Sequence, residues 1–205
     1  MAAVWLLPVV TLVVASSTGG LLSAALRAQS STLALLTAGV SFTMLIIGLS
    51  LAIMMITVYL ARLIVYGPPD ANAILSAFVV LGPLGQGGYS LLVNGANLAA
   101  LFPLHISGRF PMTAIAGQLL YSFCFCASYI LWSMGICWIC IALSSISTVL
   151  SQSGAPSFGL AYWGLVFPNG VYALLSVQLG NVLDSEFFRV FGSVWTCTFF
   201  MTMYS

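Results

Sequence analysis

The feature that most constrains this chain is a series of long apolar runs that carry no charge. Its 205 residues include only four basic and three acidic side chains. A soluble domain normally has about a quarter charged residues. A bilayer core about 30 Å thick is crossed by roughly 20 apolar residues in a helix, and helices satisfy their own backbone polar groups in lipid. The composition therefore predicts an all-α, polytopic membrane helix bundle that contacts the lipid bilayer directly.

The charged residues separate the runs and thereby define the predicted helices. They are Arg27, Arg62, Asp70, Arg109, Asp184, Glu186 and Arg189. Between them we predict six spans, at residues 3–26, 31–66, 71–101, 111–150, 157–183 and 186–204. The connecting loops are short, so residues 1–205 form a single transmembrane domain.

Prolines follow a pattern along these spans. Pro8, Pro83 and Pro168 lie inside the first, third and fifth spans, and glycines follow each of them. A proline inside a helix removes a backbone hydrogen bond and kinks it. The pattern favours repeated helical hairpins, in which Pro-kinked odd helices line a central pore. The alternative is that proline is simply common in membrane helices.

Residues that could support catalysis or bind a metal are sparse and scattered. The one histidine, His105, lies in a predicted loop, and the three acids lie in loops or at span ends. Cys137 and Cys140 have the C-x-x-C spacing, but they fall within an apolar helix, where thiols pack well. No basic stripe exists that could bind nucleic acid. We therefore expect no enzyme site, no cofactor, no metal and no nucleic-acid partner.

Neutral polar groups and glycines concentrate near two of the prolines. Residues 82–88 lack the Lys and Ser/Thr of a phosphate-binding loop, so we expect their glycines to let backbone line a cavity. The predicted pore-lining residues are Gly85, Gln86, Gly87, Gly88, Ser90 and Asn169. A neutral path of this kind suits a loosely coordinated anion. The alternative is that these polar groups bond neighbouring helices. Phe167, beside Pro168, is either a hydrophobic constriction or ordinary packing.

Several segments resemble the fungal sulfite efflux pump family. They are Gly-Pro-Pro-Asp-Ala-Asn-Ala-Ile-Leu-Ser-Ala-Phe at residues 67–78, Gly-Pro-Leu-Gly-Gln-Gly-Gly-Tyr-Ser at 82–90, Ala-Val-Trp-Leu-Leu-Pro-Val-Val at 3–10 and Tyr-Trp-Gly-Leu-Val-Phe-Pro at 162–168. That family belongs to the tellurite-resistance and dicarboxylate transporter group, which also includes plant slow-type anion channels. The resemblance implies ten helices in five hairpins, pore-lining odd helices, a homotrimer and an occluding phenylalanine, which corresponds to Phe167. It also implies that the six spans match the fifth to tenth helices of an N-terminally incomplete transporter.

The function that we predict is export of sulfite or bisulfite across the plasma membrane, through a neutral pore that Phe167 gates. One alternative is a C4-dicarboxylate (malate) permease. A larger dianion would favour a basic residue in the path, and none occurs between Phe110 and Leu183. The other alternative is a degenerate, non-transporting membrane scaffold.

Overall fold

A computed structural model describes residues 6–68, 74–105, 113–153 and 165–204 of this chain. These residues form six α-helices: α1 (Leu7–Leu26), α2 (Ser31–Tyr66), α3 (Leu81–His105), α4 (Thr113–Ser153), α5 (Val166–Val182) and α6 (Glu186–Tyr204). A 3₁₀ segment, Ile74–Val80, leads into α3. No strand occurs in these ranges, and the prediction of an all-α bundle is confirmed.

The ends of α2 and α5 are set by local side-chain and backbone chemistry. Ser30 caps α2, because its hydroxyl accepts a hydrogen bond of 3.4 Å from the Leu33 amide. Gly67 ends α2 with a φ of 76°, a conformation that glycine adopts readily. Asp184 has a φ of 49° and turns the chain between α5 and α6, where its carboxylate pairs with Arg189 at 2.7 Å.

Three helical segments in the described ranges are long and apolar enough to cross a membrane: Leu7–Leu26, Ser31–Tyr66 and Ile115–Val149. The exposed side chains of α2 are mainly aliphatic, as suits contact with lipid tails. Within the part of the chain that the structure describes, the charged side chains lie at or near helix ends, so the middle of every helix is uncharged.

The helices form three hairpins, α1–α2, α3–α4 and α5–α6, and α3 lies at the centre. It packs against α1, α2, α4 and α5. All residues from Leu81 to Gly88 are buried. Because protein surrounds α3 on most sides, its polar residues can bond to neighbouring helices instead of meeting lipid.

The odd-numbered helices run parallel to one another. Ser16 of α1 lies beside Ser90 of α3, and Gly20 lies beside Asn97 one to two turns further along both helices. In the same way, Gly82 of α3 adjoins Phe167 of α5. The three helices therefore run in the same direction, and their first residues lie at the same end of the bundle.

Pro8, Pro83 and Pro168 lie at this common end, and here the structure differs from the expected mid-helix kinks. Each proline is the second or third residue of its α-helix. A first-turn residue has no intrahelical acceptor for its amide, so a proline there starts a helix without disrupting it. The prolines thus align the beginnings of α1, α3 and α5.

Candidate functional site

A buried polar seam joins α1 to α3. The hydroxyl oxygens of Ser16 and Ser90 lie 2.8 Å apart, and the Asn94 amide donates to the Ser90 carbonyl at 3.0 Å. The Gln86 amide donates to the Ser17 hydroxyl. Gln86 and Ser90, both predicted to line a pore, here bond a neighbouring helix and are almost fully buried.

The glycines of α3 allow close approach on several sides of this helix. A Cβ added to Gly85 would lie 2.7 Å from the backbone nitrogen and Cα of Tyr172 in α5. Added at Gly87 it would meet Leu49 of α2, and at Gly88 it would meet Leu175 of α5. These three predicted pore-lining residues lie in helix–helix contacts.

One sector of α3 remains open between the faces that contact α1 and α5. Tyr89 and Val93 are partly exposed there, and Ala96 and Ala100 are exposed. They follow one another at intervals of three or four residues, so they form a single stripe along the helix.

The exposed faces of α1 and α5 border this stripe. Leu21 is exposed on α1 and Phe167 and Leu174 on α5, with Gln178 partly exposed. Thr11 and Thr18 are also exposed, but they lie on the face of α1 opposite Ser16 and Gly20, which contact α3. We call the surface formed by the α3 stripe and these two faces the trough. Its eight residues are Leu21, Tyr89, Val93, Ala96, Ala100, Phe167, Leu174 and Gln178. None of them is charged.

Phe167 lies at the end of the trough where the three helices begin. Its side chain is 44% exposed, and its Cε1 atom would lie 3.8 Å from a Cβ on Gly82. Pro168 and Asn169, the next two residues, are buried. The Asn169 amide nitrogen donates to the Leu165 carbonyl at 2.8 Å, and its oxygen has no hydrogen-bond partner. Asn169 therefore faces the protein interior, whereas Phe167 faces the trough.

Helix polarity makes this end of the trough electropositive. α1 and α5 are parallel and begin here, and the beginning of a helix carries backbone N–H groups without an intrahelical acceptor and a partial positive charge. α3 instead continues from the 3₁₀ segment Ile74–Val80, so its positive end does not lie at Leu81. No acidic residue occupies the first turn of α1, α3 or α5, and no side chain caps α1 or α5. The arrangement favours a negative charge near Phe167 without supplying a fixed cation.

Sequence reasoning missed most of the trough, although a signal for it was present. Tyr89 and Ala96, and Phe167 and Leu174, are pairs separated by seven residues, a spacing that places both members on one helix face. The same spacing also relates buried residues such as Leu84 and Leu91, so it does not by itself show which face is open. Cys137 and Cys140 are exposed on α4, outside the trough, and His105 lies at the end of α3.

Comparison with known proteins gives a consistent result. The family described as "Voltage-dependent anion channel" matches residues 1–204. Sulfite efflux pumps of Trichophyton rubrum and Arthroderma benhamiae are each 33% identical to this chain, over 100% of its length and 54% of theirs. The sulfite efflux pump of Candida albicans is 29% identical, over 93% of this chain and 41% of its own length. The chain thus spans about half the length of the curated relatives it matches. No solved structure matches it.

Proposed function

The chain belongs to the voltage-dependent anion channel family, and from this we propose that it forms part of a path by which sulfite or bisulfite crosses the plasma membrane. The observation that carries the proposal is the uncharged trough, with the aligned beginnings of α1 and α5 at one end. Helix N-termini that point at an anion within a membrane are a recurring arrangement in transporters. The names of the relatives support sulfite as the substrate.

The depth of the helix beginnings supports transport rather than binding at the membrane surface. α2 and α4 contain 36 and 41 residues, so they measure about 54 and 61 Å against a hydrocarbon core of about 30 Å. α2 continues to Tyr66 beyond Gly48, which packs on Leu12 of α1. α4 reaches the 3₁₀ segment, where the Trp138 indole donates to the Ala77 carbonyl at 2.7 Å. The long helices thus pass the level at which α1, α3 and α5 begin.

The chemistry of the trough favours a small anion that is held loosely. It offers hydroxyl and amide groups and helix polarity, and none of its residues is cationic. Binding that is weak enough to release the ion is what conduction requires. A malate dianion would gain more from a basic side chain. We therefore favour sulfite or bisulfite over a C4-dicarboxylate. The family resemblance, and not the trough, is what supports a homotrimer as the assembly.

In this proposal Phe167 gates the path. Its ring is the large hydrophobic group at the electropositive end, and a hydrophobic constriction can block ions by excluding water. Removing the ring should therefore increase the passive leak of the substrate anion. We expect at least a tenfold rise in the Phe167→Ala variant, which corresponds to removing a barrier of about 1.4 kcal/mol.

The test is anion efflux from vesicles that contain the longest protein encoded by this gene. Sulfite and malate efflux would be compared down equal concentration gradients, for the wild type and for Phe167→Ala. Phe123→Ala is the matched control, because Phe123 is 73% exposed on α4 and lies outside the trough. We expect sulfite-selective efflux that only Phe167→Ala accelerates.

Each contrary result removes a different part of the proposal. Malate-selective efflux would indicate a dicarboxylate permease. Wild-type sulfite efflux that Phe167→Ala leaves unchanged would refute the gate. An inserted protein that moves neither anion would refute transport and leave a membrane scaffold.

A further inference from the structure

A closed set of hydrogen bonds joins α5 to α4 just below the proposed gate. The Tyr172 hydroxyl donates to the Trp132 carbonyl at 2.6 Å. The Trp132 indole nitrogen donates to the Ser176 hydroxyl at 2.8 Å, and that hydroxyl donates to the Tyr172 carbonyl at 3.0 Å. One of these bonds is therefore donated from α5 to α4 and another from α4 to α5, at the same level of the two helices. We call these three residues the α4–α5 lock.

Packing around the lock leaves its central ring little freedom. Tyr172 has no exposed surface. Its ring lies against Gly135 of α4, where an added Cβ would overlap it, and its backbone lies against Gly85 of α3. The Trp132 ring lies nearly parallel to the Tyr172 ring, at an interplanar angle of 7°. Residues of α3, α4 and α6 thus surround Tyr172 of α5 and leave no space for a different rotamer.

The beginning of α5 is buried at Leu165, Pro168 and Asn169, but its side-chain hydrogen bond stays within the helix, unlike those of the lock. Leu165 precedes the helix without a side-chain cap, and the hydrogen bond from Asn169 to its carbonyl stays within the same turn. Phe167 lies five residues before Tyr172, about 7.5 Å along the helix axis. Since a helix turn is stiff, the rotation and height of Phe167 follow from where Tyr172 is held.

We propose that Tyr172 is the positioning residue of the gate, holding the Phe167 ring across the trough through its bond to the Trp132 carbonyl. This inference depends on the gating role proposed above for Phe167. The Tyr172 hydroxyl touches no part of the trough, so it acts only through the orientation of α5. Loss of this bond lets α5 shift relative to α3, and the ring then leaves its blocking position for part of the time.

The test is Tyr172→Phe, which removes a single hydroxyl, in the wild-type and Phe167→Ala backgrounds. We expect sulfite leak to rise about fivefold in the wild type, the population shift that loss of one hydrogen bond permits. We expect no further rise in the Phe167→Ala background, because no gate is left to misplace. Flux is normalised to the amount of protein inserted in the vesicles.

A pair of serine variants keeps the test decisive should Tyr172→Phe insert poorly. Ser176 and Ser128 are both fully buried hydroxyls on membrane helices. Ser176 belongs to the lock, whereas Ser128 of α4 donates to the Gly88 carbonyl of α3 at 3.0 Å. We expect Ser176→Ala to raise the leak in the presence of Phe167, and Ser128→Ala to leave it unchanged.

The possible results separate this inference from the one on which it rests. If Phe167→Ala alone has no effect, the gate itself is refuted. If Phe167→Ala increases the leak but neither Tyr172→Phe nor Ser176→Ala does, only the positioning role is refuted. A change of equal size in both backgrounds would also refute it, because a purely structural role acts independently of the gate.

Discussion

Replacing Gly85 by alanine tests how closely α3 and α5 approach each other. The added methyl group would lie 2.7 Å from both the backbone nitrogen and the Cα of Tyr172, whereas ordinary contacts begin near 3.4 Å. Backbone atoms of a packed helix cannot rotate out of the way. The two helices would have to separate by about 0.7 Å at this level, and a gap of that size removes a quarter to a half of each dispersion contact.

The expected loss of stability follows from two opposing contributions. Overpacking of a tight contact costs about 1–3 kcal/mol. Alanine is favoured over glycine within a helix by about 1 kcal/mol. We therefore expect Gly85→Ala to lower the free energy of unfolding by up to about 2 kcal/mol.

Two glycines in the same chain provide controls. At Gly87 the new methyl group would meet only the end of the flexible Leu49 side chain, and at Gly39, on the exposed face of α2, it would meet nothing within 4 Å. We expect Gly87→Ala to be close to neutral and Gly39→Ala to be neutral or stabilising. Unfolding by sodium dodecyl sulfate in mixed micelles, followed by circular dichroism, measures all three.

The order of the three variants is the decisive result. If Gly85→Ala is as stable as Gly39→Ala, the close backbone contact between α3 and α5 is refuted. If Gly87→Ala loses as much stability as Gly85→Ala, a contact with rigid backbone costs no more than one with a flexible side chain, and the reasoning is wrong.

Two further predictions use the same unfolding assay. Asn94→Ala removes the amide that donates to Ser16 and Ser90. Because these buried acceptors then lose a donor, we expect the free energy of unfolding to fall by about 1–3 kcal/mol. An unchanged free energy would contradict a structural role for the polar seam. Asp184→Gly and Asp184→Ala both remove the ion pair with Arg189, which is exposed and worth less than about 1 kcal/mol. Because the φ of 49° strains alanine but not glycine, the glycine variant should be more stable by about 1 kcal/mol, and equal stabilities would contradict this.

The helix boundaries could be predicted where local chemistry sets them. The predicted span 31–66 coincides with α2, since Ser30 supplies a cap and Gly67 a terminating conformation. The sequence shows the prolines, but not that they lie in the first turns of α1, α3 and α5 instead of at kinks within them. A sequence shows that Pro83 disfavours a helix interior, yet it does not show that a 3₁₀ segment precedes it and that the α-helix begins only at Leu81.

The open side of α3 could not be predicted from its own residues. A helix with protein on most sides has no single apolar face, so periodicity does not distinguish the side that meets a neighbour from the side that stays open. Gln86 and Ser90 bond to α1, whereas Tyr89, between them in sequence, belongs to the trough. Only the packing of α1 and α5 around α3 determines which of these residues are buried and which is exposed.

The uncharged middle of every described helix has an electrical consequence. A membrane potential acts on a protein through fixed charges that it can move, at about 2.3 kcal/mol per elementary charge for each 100 mV. A shift of α5 that displaces Phe167 moves no charged side chain of that helix, because Val166–Val182 contains none. The part of the chain described here therefore offers no voltage sensor of the arginine-rich kind. Any dependence of flux on potential should arise from the charge of the permeating anion, with a shallow slope of about one elementary charge per bisulfite or two per sulfite.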